Sequence, residues 1–245
     1  MSVDYNDENY NYKAYWNARS YEHNCEVIAL KKLLPKKGNN IVDIGGGFGR
    51  LSSVYGEHFN NATIMEPSKK LLQQAKLGLN PFGLIPNGFN PNYVNSSIYD
   101  APKKLEGKYD CAIMIRVLHH LDDLNSAILS VSKLMVKDGV FILEFANKMH
   151  FLNILKNVAR LNFRFFSSQP YKLGTFTLWH PPYVQKVLEK NDFAIKNRLS
   201  VSNLRSPLIK KLIPEKILLT MENLLQKPLS YINFGPSIFI KTIKV

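Results

Sequence analysis

The segment Ile41-Val42-Asp43-Ile44-Gly45-Gly46-Gly47-Phe48-Gly49-Arg50 constrains the fold of this chain more than any other stretch. A short apolar run ends near an acid and passes into a turn with four glycines in five positions. Leu51 to Tyr55 then resumes a helix-compatible pattern. Strand, glycine turn, helix is the entry unit of a nucleotide-binding α/β domain. Glycine adopts backbone angles closed to residues with a Cβ, and it lets the main chain approach a ligand closely. The dinucleotide fingerprint Gly-x-Gly-x-x-Gly fails: counted from Gly45 and Gly47 its third position is Arg50, and counted from Gly47 and Gly49 it is Ser52. No Gly-Lys-Ser/Thr ending follows, so the phosphate-loop pattern is absent as well.

The rest of the chain alternates strand and helix patterns around this unit. Tyr5, Tyr10, Tyr12, Tyr15 and Trp16 form an aromatic arm of little periodicity. Val27, Ile28, Leu30, Leu33 and Leu34 then mark a helix ended by Pro35 and Gly38. Strands are expected at about Asn40–Ile44, Ala62–Glu66, Tyr93–Asn95, Tyr109–Ile115 and Val140–Phe145. Residues 78–92, dense in Gly, Pro and Asn, read as a long loop. Helices are expected over Lys69–Leu77 and Leu124–Met135, the second capped by Asp122 or Asp123 and stopped at Lys137-Asp138-Gly139. Glu66 ends the second strand 23 residues after Asp43, where one carboxylate can accept from both hydroxyls of a ribose.

Asp43 through Gly49 reads Asp-x-Gly-x-Gly-x-Gly. This resembles motif I of the class I S-adenosylmethionine (SAM) methyltransferases, whose loop curls around the methionine and ribose parts of the cofactor. Arg116-Val117-Leu118-His119-His120-Leu121-Asp122, after the apolar fourth strand, resembles the strand-four signature of the branch called type 11, which includes the quinone-biosynthesis methyltransferases. The motifs cover about Asn40–Glu144, and element order extends the likeness to the end. The resemblance implies an α/β fold with a doubly wound, seven-stranded, mostly parallel sheet, the last strand antiparallel beside the fifth. Helical insertions follow strand five and precede the last strand. It implies SAM as cofactor, S-adenosylhomocysteine as product, and an arm folded over the cofactor.

By the same resemblance the cofactor residues are Asp43, Gly45, Gly46, Gly47, Gly49, Glu66, Pro67, Ser97, Ile98 and Arg116. The family commonly has Gly-Asp-Ala-x-x-Leu-Pro after strand three, with the Asp on the adenine amino group. Aligned through Pro102, that position is Ser97, with Ile98 next; Asp100 is the alternative in a shifted register. Methyl transfer is an in-line displacement on an activated carbon, so the protein mainly aligns the nucleophile and excludes water. A base is needed only where the acceptor holds a proton at working pH. His119, His120 and Glu144 stand at strand ends on the ligand side and are the candidates, although adjacent histidines cannot both face one pocket in regular structure. No histidine spacing suggests a metal site.

One domain of 245 residues is expected: an arm and helix over 1–38, a SAM-binding core over 39–146, and substrate-side insertions at 147–180 and 205–230. The first insertion has an apolar helix face through Phe151, Leu152, Leu155 and Val158, with Lys156, Arg160 and Arg164 as a basic row. The second reads as two amphipathic helices divided by Pro214, with a stripe of Ile217, Leu218, Met221, Leu224 and Leu225. Pro181 and Pro182 of His180-Pro181-Pro182-Tyr183 suit a helix start rather than an amino-methylation motif, which would follow strand four. Only Cys25 and Cys111 are present, no leader-like start is evident, and no apolar run is long enough to span a bilayer, so a cytoplasmic location is expected.

The net charge of +13 is concentrated: residues 147–245 carry 16 basic and 4 acidic side chains. Such a face can attract nucleic acid, an anionic membrane surface or an acidic substrate. The leading expectation is methylation of an O or C atom of a small, apolar or lipid-like acceptor. The alternatives are an RNA or protein methyltransferase docking through the basic part, and a SAM-binding partner subunit without turnover.

Overall fold

The computed structural model describes residues 4–78, 89–105 and 109–245. Most of the expected 78–92 loop, residues 79–88, lies outside the described residues. Seven strands form one sheet: β1 Gly38–Ile44, β2 Phe59–Met65, β3 Asn92–Val94, β4 Tyr109–Met114, β5 Met135–Ala146, β8 Phe193–Val201 and β9 Ser237–Lys244, in the order β3-β2-β1-β4-β5-β9-β8. Strands β1 to β5 are parallel, and β9 runs antiparallel to both neighbours. The order reverses between β1 and β4, so a crevice opens at their carboxyl ends.

The alternation of side chains sends each strand into two cores. Val42, Ile44, Ala112, Met114 and Phe141 pack under α5 (Leu124–Leu134) and α7 (Pro181–Lys190). Ile41, Cys111, Ile113 and Ile142 pack under α1 (Ser20–Leu33) and α9 (Glu215–Ser230). Burial on both faces is why β4 reads as a continuous apolar run. Ser68 caps α3 (Lys69–Lys76) by accepting from the Leu71 N–H, and Asp123, not Asp122, caps α5 by accepting from the Ser126 N–H. The two prolines start α7 behind His180, in keeping with the helix-start reading.

Several boundaries differ from expectation. After the glycine loop α2 is a single turn, Ser52–Tyr55. Helix α5 ends at Leu134, and β5 begins at once with Met135. Lys137-Asp138-Gly139 therefore does not stop a helix. It lies inside β5, where Asp138 has φ +62° and the pairing with β4 shifts between Tyr109 and Cys111. Turn-forming residues have been used for an irregularity in a strand. The insertion at 147–180 is helical only in α6 (Phe151–Ala159) and a 3₁₀ turn at Phe163–Phe166; it closes with the hairpin β6 Tyr171–Leu173 and β7 Phe176–Leu178.

Between β8 and β9, Pro214 does divide two helices, α8 (Pro207–Leu212) and α9. Helix α9 does not cover the carboxyl edge of the sheet: it packs on α1 and β8 with Leu218, Glu222, Gln226 and Ser230 inward. Ile217, Met221 and Leu224 of the expected stripe face outward. Polar chemistry decides this orientation. Glu222 accepts from the Tyr21 hydroxyl and the backbone N–H groups of Ser202 and Asn203, and Gln226 donates to the Cys25 carbonyl. Among the described residues no helix is long and apolar enough to cross a membrane.

Candidate active site

The turn after β1 places Gly45, Gly47 and Gly49 at φ +69°, +56° and +78°. A Cβ on Gly45 would lie 2.4 Å from a Val117 methyl carbon, so this position is closed by sterics as well as by backbone conformation. The N–H groups of Gly45 and Gly46 donate to the Met65 carbonyl, which ties the turn to the end of β2. One residue further, Glu66 is buried and receives the Gly47 N–H on Oε2 at 2.9 Å and the Ser68 N–H on Oε1 at 2.8 Å. Each oxygen keeps acceptor capacity for a further donor. Burial raises the Glu66 pKa, and the two N–H donors oppose that rise.

Glu66 lines a cavity of about 250 Å³ at the β1/β4 crevice. Gly45, Gly47, Pro67, Ser97, Ile98, Arg116 and His120 line it too. Asp43 and Gly46 line an adjoining niche with Arg50. Gly49 lines neither space; its added Cβ would meet Ile64, Ser52 and Ala75, so it serves the packing of the turn. Between the two adenine alternatives, Ser97 lines the cavity, and its hydroxyl donates to Asp100 at 2.8 Å. With its proton spent there, Ser97 faces a ligand as an acceptor. Asp43 receives the Tyr55 hydroxyl at 3.1 Å, yet burial pushes its pKa up to about 7.

The aromatic arm closes this cavity from the other side. Tyr5 and Tyr12 line it, and the Tyr5 hydroxyl lies 2.9 Å from Nε2 of His120. Lys70 of α3 holds the arm by donating to the carbonyls of Asp7, Glu8 and Tyr10. Trp16 packs with Phe48 and Leu71 beneath, and the Arg50 guanidinium lies 3.9 Å from the Trp16 ring centroid.

His119 and Glu144 line a different cavity, of about 310 Å³, with Tyr15, Asn147, His150, Phe176 and Arg205. The two histidines sit in a 3₁₀ turn, Leu118–His120, with ring centroids 4.0 Å apart, and they serve separate spaces. Burial, helped by His120 and Arg116, pushes the His119 pKa down to about 3, so its imidazole is neutral near pH 7. Both Glu144 oxygens are engaged: Oε1 accepts from the Ser237 hydroxyl at 2.5 Å and Oε2 from the Arg116 N–H at 2.7 Å. Burial raises the Glu144 pKa, although Arg116 opposes this.

Arg116 borders both cavities and the niche. Its φ of +60° is a left-handed conformation unfavourable for a side chain of this kind. Its Nε donates to Glu26 Oε1 at 2.6 Å, and Nη1 to the Tyr15 hydroxyl at 3.2 Å. Glu26, buried in α1, also takes Arg50 on Oε2 at 2.5 Å. The expected cofactor residue Arg116 is thus committed through its guanidinium to a buried ion triad. Glu26, His150 and Arg205 have no local motif that marks them. The only sequence signal for Glu26 is an acid inside the apolar pattern of the first helix.

The comparisons with known proteins agree with this architecture. A methyltransferase-domain family model matches residues 15–196, most of the chain, and the chain belongs to that family. It is a SAM-dependent methyltransferase with the class I fold. Among solved structures it is similar to magnesium protoporphyrin IX methyltransferase from Synechocystis PCC 6803 with bound S-adenosylhomocysteine. There the identity is 19% and the TM-score 0.62, over 91% of this chain and 84% of that one. A SAM-dependent methyltransferase from Thermotoga maritima gives 16% identity and a TM-score of 0.62, over 96% and 94% of the two chains. A search of curated proteins returned no significant match.

Proposed function

We propose that the enzyme holds SAM in the cavity beside the glycine turn and methylates an O or C nucleophile of a small, largely apolar acceptor seated in the Glu144 cavity. The observation that carries this reading is the meeting of the two cavities at Arg116, one lined by the glycine turn and Glu66, the other by apolar and basic side chains. SAM supplies an electrophilic methyl on a sulfonium. Glu66 would accept the ribose hydroxyls on the lone pairs left free by Gly47 and Ser68. Ser97, Ile98, Pro67 and Leu71 give an apolar slot with one acceptor, which suits an adenine. Tyr5 and Tyr12 would exclude water.

On the acceptor side, Leu173, Phe176 and Leu178 supply apolar walls. Arg205 lines the same cavity and has no hydrogen-bond acceptor among the described residues, which favours an acidic group on the acceptor. His119 makes no hydrogen bond among the described residues and is neutral, so it can take a proton from a hydroxyl acceptor. An anionic acceptor beside it would raise its pKa toward the useful range. Glu144, whose Oε2 holds the Arg116 backbone N–H, acts instead as a positioning residue for Arg116.

The test is methyl transfer from labelled SAM to long-chain phenols with and without a carboxylate. Arg205→Ala is expected to raise KM for the carboxylated acceptors on the order of tenfold, with kcat little changed. His119→Ala is expected to lower kcat by at least about a hundredfold. Turnover of carboxylated and uncarboxylated acceptors with equal KM in both forms would reject the acidic-acceptor reading.

A further inference from the structure

Helix α6 is built inside out. Its residues Asn153, Ile154 and Asn157 turn inward, while Phe151, Leu152, Leu155 and Val158 are 43–59% exposed. The inward asparagines are satisfied locally: the Asn157 amide donates to the Asn153 carbonyl, and the Asn162 amide to Asn157. On a helical projection, Val158, Phe151, Leu155, Ala159 and Leu152 form one continuous apolar arc. Lys156 and Arg160 follow directly at one edge of it. Beyond the helix, Leu161 and Phe163 extend the apolar surface at 74% and 69% exposure. A contiguous apolar surface of this kind marks an interaction site rather than an ordinary protein exterior.

The charge around the arc identifies what covers it. No Asp or Glu occurs between Glu144 and Glu189, whereas Lys148, Lys156, Arg160, Arg164, Lys172 and Lys186 all fall in that interval. Lys148 is buried, donating to the carbonyls of Ser167 and Gln169, so it pins the segment rather than facing a partner. Lys156, Arg160 and Arg164 are exposed beside the arc. Apolar side chains flanked by cations without any acid match the acyl and headgroup layers of an anionic bilayer. A second copy would oppose cations to cations, and nucleic acid would leave the apolar arc in water.

We propose that α6 and residues 161–164 form an interfacial element that docks the enzyme on an anionic lipid bilayer. The back of this helix is a wall of the acceptor cavity, because Asn153 and the helix-start residue His150 line it. Docking therefore sets the acceptor cavity against the lipid surface, the source of a lipid-like acceptor. That delivery step rests on the acceptor reading above; the docking itself does not.

The test is co-sedimentation of the full chain with vesicles that contain no acceptor, either pure phosphatidylcholine or roughly one-third phosphatidylglycerol. The wild type is expected to bind the anionic vesicles, and on the order of tenfold less to the neutral ones. Leu152→Asp with Leu155→Asp, and separately Lys156→Glu with Arg160→Glu, are each expected to weaken binding on the order of tenfold or more. SAM affinity and the unfolding midpoint should stay unchanged, since these side chains are exposed. Absence of vesicle binding by the wild type, or binding of anionic vesicles by either double variant as tightly as by the wild type, overturns the proposal. Self-association abolished by the leucine pair without vesicle binding overturns it in favour of a second copy. RNA binding that survives the leucine pair, again without vesicle binding, overturns it in favour of nucleic acid. Vesicle binding with no turnover of lipid-like acceptors supports docking and rejects delivery.

Discussion

The backbone N–H of Arg116 donates to Glu144 Oε2 over 2.7 Å, and this bond joins the two cavities of the site. It fixes Arg116 in its left-handed conformation while the side chain reaches α1. If Glu144 positions rather than abstracts a proton, Glu144→Gln keeps an acceptor for the N–H and should retain kcat within about tenfold, where loss of a general base costs at least about a hundredfold. Glu144→Ala leaves a buried donor unpaired and should cost about 1–3 kcal/mol of stability. Urea unfolding and steady-state rates on the two variants check both halves.

Glu26 carries a second prediction. It is fully enclosed between Arg50 and Arg116, and those cations pull its pKa down against its own desolvation. Glu26→Gln would leave two cations with a neutral partner, at a cost of about 3–5 kcal/mol. Because Arg116 borders both cavities, SAM affinity should fall together with stability. A variant that unfolds like the wild type in urea would contradict the structural role of the triad.

The glycine turn predicts an ordered pair of effects. Gly45→Ala combines positive φ with a Cβ 2.4 Å from Val117, whereas Gly47→Ala has positive φ but a Cβ that, among the described residues, meets only the Tyr12 ring, at an ordinary contact distance of 3.8 Å. Left-handed strain alone costs about 1–2 kcal/mol. Thermal unfolding should therefore show Gly45→Ala clearly less stable than Gly47→Ala. Equal midpoints would mean that Val117 moves aside freely.

Asp43 predicts a pH dependence. Its pKa in the folded protein is pushed up to about 7 by burial, against an unfolded value of 3.8. Between those values the native state binds the extra proton, so this group's contribution to stability falls as pH rises through the window. Asn at the position keeps an acceptor for Tyr55 but cannot ionise. The midpoint of Asp43→Asn relative to wild type should rise steadily from about pH 4 to pH 7, and then level off. A difference independent of pH would show that Asp43 does not titrate there.

Much of the sheet was legible because apolar runs such as Ile41–Ile44 and Cys111–Ile115 are buried on both sides and bounded by turn chemistry. The end of α5 was not, because Lys137-Asp138-Gly139 suits a helix stop and a strand irregularity equally well. Nor was the inward face of α9, since Glu222 and Gln226 find backbone partners that outweigh the apolar stripe of Ile217, Met221 and Leu224. The glycine turn and Glu66 could be read together because one strand-helix-strand unit fixes their separation. The Glu26–Arg50–Arg116 triad could not, as it forms only when α1, the turn and the end of β4 converge.

The most direct test of the account is calorimetric titration of the enzyme and of Glu66→Ala with SAM, with NAD as comparison. The wild type is expected to bind SAM and to bind NAD little or not at all, and Glu66→Ala, which loses the charged hydrogen bonds, to bind SAM on the order of tenfold to a hundredfold more weakly. No SAM binding, tighter binding of NAD, or unchanged SAM affinity in the variant would contradict it.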